Sequence, residues 1–198
     1  MFDFITRLIE QGGYLGIAAL MFLENIFPPL PSELIMPLAG FTAARGDLSL
    51  PGVILAGSIG TVAGALPWYW AGHHLGEEGL KRWADRHGRW LTLKPRDIDR
   101  VDDWFDERCG RAIFFGHLVP TIRTLISVPA GVFGMGLRRF LLFTALGGGL
   151  WTALLAAAGY LLEDGYDQVA AYLNPVATLV VAAILITWLF RVITFRRG

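Results

Sequence analysis

Three long apolar stretches free of Asp, Glu, Lys and Arg divide the chain: Leu48 to Gly76, Phe140 to Leu162 and Gln168 to Phe190. Each exceeds the roughly 20 residues a helix needs to cross bilayer hydrocarbon, so the pattern predicts three spanning helices. Met1 to Gln11 interrupts its apolar residues with Asp3, Arg7 and Glu10 and reads as an interfacial amphipathic helix. The same charges leave no basic region followed by a small-residue cleavage site, so no cleaved signal peptide is expected. In KPRDIDRVDDWFDERCG, Ile98, Val101, Trp104 and Phe105 recur at helical spacing, one apolar stripe on a charged helix. The acids Asp102, Asp103, Asp106 and Glu107 on that helix read as a solvated face rather than a metal site.

Two segments fit neither pattern. FLENIFPPLPSELIMPLAGFTA, Phe22 to Ala43, is apolar enough for a membrane yet carries Glu24, Glu33 and the prolines Pro28, Pro29, Pro31 and Pro37. PTIRTLISVPAGVF, Pro120 to Phe133, repeats its logic: a proline, a charged residue, an apolar run, a second proline at 129, then Ala-Gly ending at Gly131, as at Gly40. The helices that follow also match, because Gly60 and Gly72 have the same spacing as Gly147 and Gly159. Interior prolines forfeit helical hydrogen bonds, and irregular backbone survives at membrane depth only where protein or a wet cavity covers it. Residues 28–44 and 112–135 are therefore predicted to be re-entrant helical hairpins. The predicted fold is all-α and polytopic. It has two inverted repeats, each a re-entrant helical hairpin followed by a spanning helix, plus an N-terminal amphipathic helix and a C-terminal spanning helix over residues 175–192.

Composition agrees. Of 198 residues, 54% are hydrophobic and 17% charged, which fits one membrane domain over 1–198 rather than a soluble enzyme. Nine of the 17 Lys and Arg lie between Lys81 and Arg111, so the charged helical segment 78–111 is expected on the cytoplasmic side, with the Arg-rich C-terminus. With a cytoplasmic N-terminus, residues 13–27 would cross outward and the two hairpins would enter from opposite faces. The balanced charge gives no case for nucleic acid. The single cysteine, Cys109, excludes an intrachain disulfide and a thiolate zinc site.

Glu24, Glu33 and Arg123 fall at predicted membrane depth, where an ionisable group costs at least ~3 kcal/mol and marks a functional site by default. Arg123 suits a lipid phosphate, since its planar donors match phosphate oxygens bidentately. A carboxylate in a low-dielectric site can take up a proton, which suits proton coupling. Glu33 and Arg123 are expected to face each other from the two hairpins as one site, either an ion pair or a substrate-handling unit. His73 and His74 beside Glu77 and Glu78 read as an interfacial helix end, not a metal site. Ser58 lacks the sequence element of an intramembrane hydrolase, and no cofactor is indicated. Trp68, Tyr69, Trp70, Trp83 and Trp90 read as interface anchors. Gly147, Gly148 and Gly149 read as close helix packing, and such helices permit a homodimer.

Glu24-Asn25 followed by PPLPSE, then GALPWYWAGHHLG, then FFGHLVPTIRTLISVPAGVFGM leading to Phe140 together resemble the DedA family, whose core is the VTT or SNARE-associated domain. The resemblance covers about residues 10–165. It implies an inner-membrane protein that moves lipids between leaflets, polyprenyl phosphate or phospholipid, often dependent on the proton gradient. By motif position the family's acids fall on Glu24 and Glu33, with Asn25 beside the first. Its basic pair falls on His117 and Arg123 around Pro120, and the chain departs from the pattern with His where the family commonly has Arg. The expected function is translocation of an anionic lipid, flippase or scramblase in type, with protons as partners and no enzymatic step. A proton-coupled small-solute carrier, a membrane-embedded lipid hydrolase and a non-transporting assembly factor are the alternatives.

Overall fold

The computed structural model describes residues 2–26, 32–91, 109–119, 123 and 126–161. Pro28, Pro29, Pro31 and Pro120, the stripe at 98–105 and the helix expected at 175–192 lie outside them. The described residues form α1 (Phe2–Ile26), α2 (Ser32–Ala44), α3 (Leu50–Leu91), α4 (109–117), α5 (Ser127–Val132) and α6 (Leu137–Leu161). Two stretches, Leu50–Leu80 in α3 and Leu137–Leu161, are long and apolar enough to cross a membrane. They correspond to two of the three stretches predicted to span.

Glycines break α1 and α3. α1 bends at Gly13 (φ 52°, ψ −133°) and α3 at Gly76 (φ 62°, ψ 172°), conformations that a side chain disfavours. The first break separates the predicted amphipathic helix from the segment that follows. Its polar residues Arg7 and Glu10 are exposed, while Ile5 and Ile9 bury completely among Leu38, Ala39 and Ala43 of α2. The apolar face of this limb is thus satisfied largely by protein.

Prolines are less disruptive than expected. α2 runs unbroken for 13 residues through Pro37. The helix forgoes the bond from position 37 to the carbonyl of Glu33 and continues past it. In α5, Pro129 sits near the start, where a missing N–H costs little. That helix closes with Met135 N–H donating to the Ala130 carbonyl (3.0 Å) and Gly134 N–H to the Gly131 carbonyl (3.2 Å), around Gly134 at φ 68°.

The chain goes out and back between α1 and α3. The second limb of α1, residues 14–26, and α2 are each about 20 Å long, too short to cross about 30 Å of hydrocarbon. Their outer ends meet, because Ser49 N–H donates to Tyr14 Oη (2.9 Å) and the two hydroxyls lie 3.1 Å apart. The segment expected to cross, residues 13–27, is thus described as the limb 14–26, whose start lies beside the end of the loop that follows α2.

α3 and α6 form the centre of the bundle. They run antiparallel, joined where Ser58 Oγ meets Thr152 Oγ1 at 3.1 Å and where Thr61 packs on Gly148. α1 and α5 pack on α3, and α2 packs on α6. The contacts of the repeated glycines correspond. Gly40 lies on the carbonyl of Ala156 and Gly159 on that of Pro37, while Gly131 lies on the carbonyl of Tyr69 and Gly72 on that of Val128. In each case the carbonyl belongs to the residue three before the partner glycine. Likewise Gly60 packs against Ala18 and Met21 of α1, and Gly147 against Phe114 and His117 of α4. The glycine contacts are thus crosswise, α2 packing on α6 and α5 on α3.

Candidate functional site

Glu24 lies in the last turns of α1 and is buried. A carboxylate there faces two penalties, loss of water and the negative end of its own helix dipole. Arg123 removes both: its guanidinium Nη2 pairs with Glu24 Oε1, and both side chains are almost fully buried. The arginine is placed by its backbone, whose N–H donates to the Val119 carbonyl (3.1 Å) beyond the end of α4. Glu24 Oε2 is buried without a hydrogen-bond partner among the described residues.

Asn25 is fully buried next to it. Its Nδ2 donates to the Met21 carbonyl (3.2 Å), which fixes the amide orientation and leaves Oδ1 as a buried acceptor with no partner among the described residues. Its backbone carbonyl accepts Trp68 Nε1–H at 2.7 Å, so the end of α1 is tied to α3. Gly64 makes room for this approach, since a methyl group there would stand 2.6 Å from Asn25 Cβ.

His117 closes the other side from α4, with only 1% of its surface exposed. Nδ1 lies 2.8 Å from the Ile113 carbonyl. A carbonyl only accepts, so Nδ1 carries the proton and Nε2 remains, again without a partner among the described residues. The ring packs by Cδ2 toward Gly148, against which Thr61 also packs. Thr144, one turn earlier on α6, and Thr61 are buried with unpartnered hydroxyls among the described residues, as is Ser127 on α5. Thr61 and Gly148 stand near the middle of their helices, so this polar cluster lies at mid-height of the two candidate spans.

Of the five residues expected from sequence, the structure pairs Glu24 with Arg123, sets Asn25 beside Glu24 at the end of α1, and buries His117 on α4 against Gly147 and Gly148 of α6. The fifth does not join them as predicted. Glu33 is half-buried in the first turn of α2, and the acid that Arg123 pairs with is Glu24. The reason is geometric: Glu24 ends the limb that runs beside α3, whereas Glu33 starts the limb that packs on α6. Trp68 and Tyr69 are not simple interface anchors, because Tyr69 Oη donates to the Met135 carbonyl (2.5 Å) and only 4% of Tyr69 is exposed. Ser58 spends its hydroxyl on the Ile54 carbonyl (2.7 Å) and Thr152. Thr61, Thr144 and Ser127 carry no spacing signal, since a lone hydroxyl in an apolar run commonly bonds its own helix.

Residues 30–161 match the VTT domain. The chain is 40% identical to a Lactococcus lactis subsp. cremoris protein called "alkaline phosphatase-like protein", over 98% of this chain and 92% of that one. It is 32% identical to undecaprenyl phosphate transporter A of Staphylococcus aureus, over 98% of this chain and 96% of that one. It is 28% identical to inner membrane protein YqjA of Escherichia coli, over 75% and 67% respectively. No solved structure matches it.

Proposed function

The chain belongs to the VTT-domain (DedA) family of membrane proteins, and on that premise we propose that it carries the phosphate headgroup of a polyprenyl phosphate across the bilayer through the Glu24–Arg123 pair. The observation that carries this reading is the buried pair itself at mid-height of the bundle. Neither charge can be left alone in hydrocarbon, so a phosphate takes Arg123 only if Glu24 is compensated, and a proton on Glu24 does that. Headgroup binding and protonation of Glu24 are then two halves of one exchange: the anion replaces the carboxylate on the guanidinium while the carboxylate becomes neutral. Arginine offers parallel donors that match phosphate oxygens, which a lysine would not.

The topology supports the exchange. Limbs of half-membrane length that return to their starting end are what a re-entrant hairpin requires, and crosswise glycine packing is what an inverted repeat around a midplane site requires. In this reading the hairpin containing residues 14–49 enters and leaves by one face. α3 then crosses once to the cytoplasmic face, where the charged segment 78–111 lies. The amphipathic limb before Gly13 then lies on the external face, opposite that segment, where the sequence alone suggested a cytoplasmic N-terminus.

The test is purified protein in liposomes loaded with undecaprenyl phosphate on one leaflet, with headgroup accessibility followed with and without a pH gradient. Movement that is lost in Glu24→Gln and Arg123→Gln protein supports the reading. Release of inorganic phosphate would instead favour the hydrolase implied by the name of the Lactococcus relative, and no movement by wild-type protein would overturn the proposal.

A further inference from the structure

The polar groups around the ion pair include buried acceptors and donors with no hydrogen-bond partner among the described residues, Arg123 Nη2 and Ser127 Oγ among the donors. Asn25 Oδ1 can only accept, and Glu24 Oε2 accepts when ionised. His117 Nε2 accepts in the neutral ring, because Nδ1 is already committed as the donor to Ile113. Thr61 and Thr144 add hydroxyls that can donate. All are buried and have no hydrogen-bond partner among the described residues. Contacts connect them: Asn25 packs against Gly64, one turn from Thr61 on α3, while Thr61 and His117 meet Gly148, one turn from Thr144 on α6.

A headgroup that offers only acceptor oxygens would satisfy Arg123 and the hydroxyls and leave the Asn25 and His117 acceptors facing it. A buried acceptor left unpaired is costly, and sites built around such groups reject ligands that lack the matching hydrogen. Charge points the same way, since Arg123 beside a protonated Glu24 offers a single positive charge, and a doubly charged anion would be harder to desolvate there than a singly charged one.

Resting on the transport reading above, we infer that the cluster selects a phosphate monoester that retains one P–OH. The hydroxyl of the phosphate donates to His117 Nε2 or Asn25 Oδ1. Its charged oxygens accept from Arg123, Thr61 and Thr144. A phosphodiester headgroup has no hydrogen on phosphorus oxygen and is discriminated against. His117 and Asn25 are thus specificity-determining residues, and the histidine does work that an arginine at the same place, having only donors, cannot.

The test is direct binding to the purified full chain in detergent by calorimetry, which reads selectivity whether or not the protein transports. The probes are farnesyl phosphate, its methyl diester, and dihexanoylphosphatidylethanolamine, whose ammonium is another source of hydrogen. The expected result is binding of the monoester at least about 10-fold tighter than the diester in wild type. In His117→Arg and His117→Phe protein that ratio should fall toward one, the arginine variant gaining diester binding. Thr144→Val, a smaller change to the same cluster, should weaken both ligands together and keep the ratio. Equal binding of monoester and diester by wild type, a ratio unchanged in both His117 variants, preferential binding of the ethanolamine lipid, or no binding of any probe would each overturn the inference. Selective binding without lipid movement in liposomes would leave the selectivity standing and remove the transport reading.

Discussion

Arg123, in the link between α4 and α5, makes its ion pair with Glu24 at the end of α1, and both are buried where a single charge would be intolerable. Removing either partner leaves the other stranded, at a cost of about 3–5 kcal/mol. Thermal melts in detergent should show Glu24→Gln and Arg123→Gln each strongly destabilised. The double variant should recover much of the loss, because two neutral amides strand no charge. Transport should stay lost in all three, and recovery of transport in the double variant would show the pair to be only a structural tie.

The proposed hairpin reading puts the N-terminus on the external face. In a Cys109→Ala background, a membrane-impermeant thiol reagent added outside should label Glu10→Cys and spare Arg82→Cys, since both positions are exposed. Labelling of both from the same face would mean that residues 13–27 cross after all.

The crosswise glycine contacts should fail alike in both copies. A methyl group at Gly40 meets the backbone of Ala156, and one at Gly131 meets the backbone of Tyr69, so neither neighbour can yield as a side chain would. Gly40→Ala and Gly131→Ala should each lower stability by about 1–3 kcal/mol, measured as a fall in melting temperature. Gly12→Ala, where nothing lies within 4 Å, serves as the control.

Trp68 holds the end of α1 by one hydrogen bond to the Asn25 carbonyl. Trp68→Phe keeps the bulk and loses the N–H, so stability should drop by only about 1 kcal/mol. Because Glu24 precedes that carbonyl, transport should fall by more than the stability loss explains. An unchanged transport rate would confine Trp68 to anchoring.

Much of the site was legible from residue chemistry in its membrane context. Glu24 and Arg123 stand out because charges are rare in such segments, and Asn25 and His117 lie in the same motifs. The partner of Arg123 was not legible. Proline spacing marks where a chain turns, but not which of two flanking acids faces inward; that depends on which limb packs on α3. The proline at 37 misled for a related reason, since one interior proline removes a single hydrogen bond without having to end the helix that packs around it. The matched glycine spacings mark places of close backbone approach, which excludes other residues, yet their crosswise pairing is a tertiary fact with no trace in spacing. Thr61 and Thr144 were invisible until the helices around them were packed.

The crosswise arrangement also has a consequence in time. Glu24 is synthesised long before Arg123, and at about 5–20 residues per second the acid waits roughly 5–20 s for its counterion. During that interval the first half has its polar end and no partner for it, and α2 has no long helix to seat on. Biogenesis must therefore hold the nascent first half in a wet or protonated condition until the second half arrives. A ribosome stalled between α3 and α4 should leave a chain that insertion factors and membrane proteases recognise as unfinished.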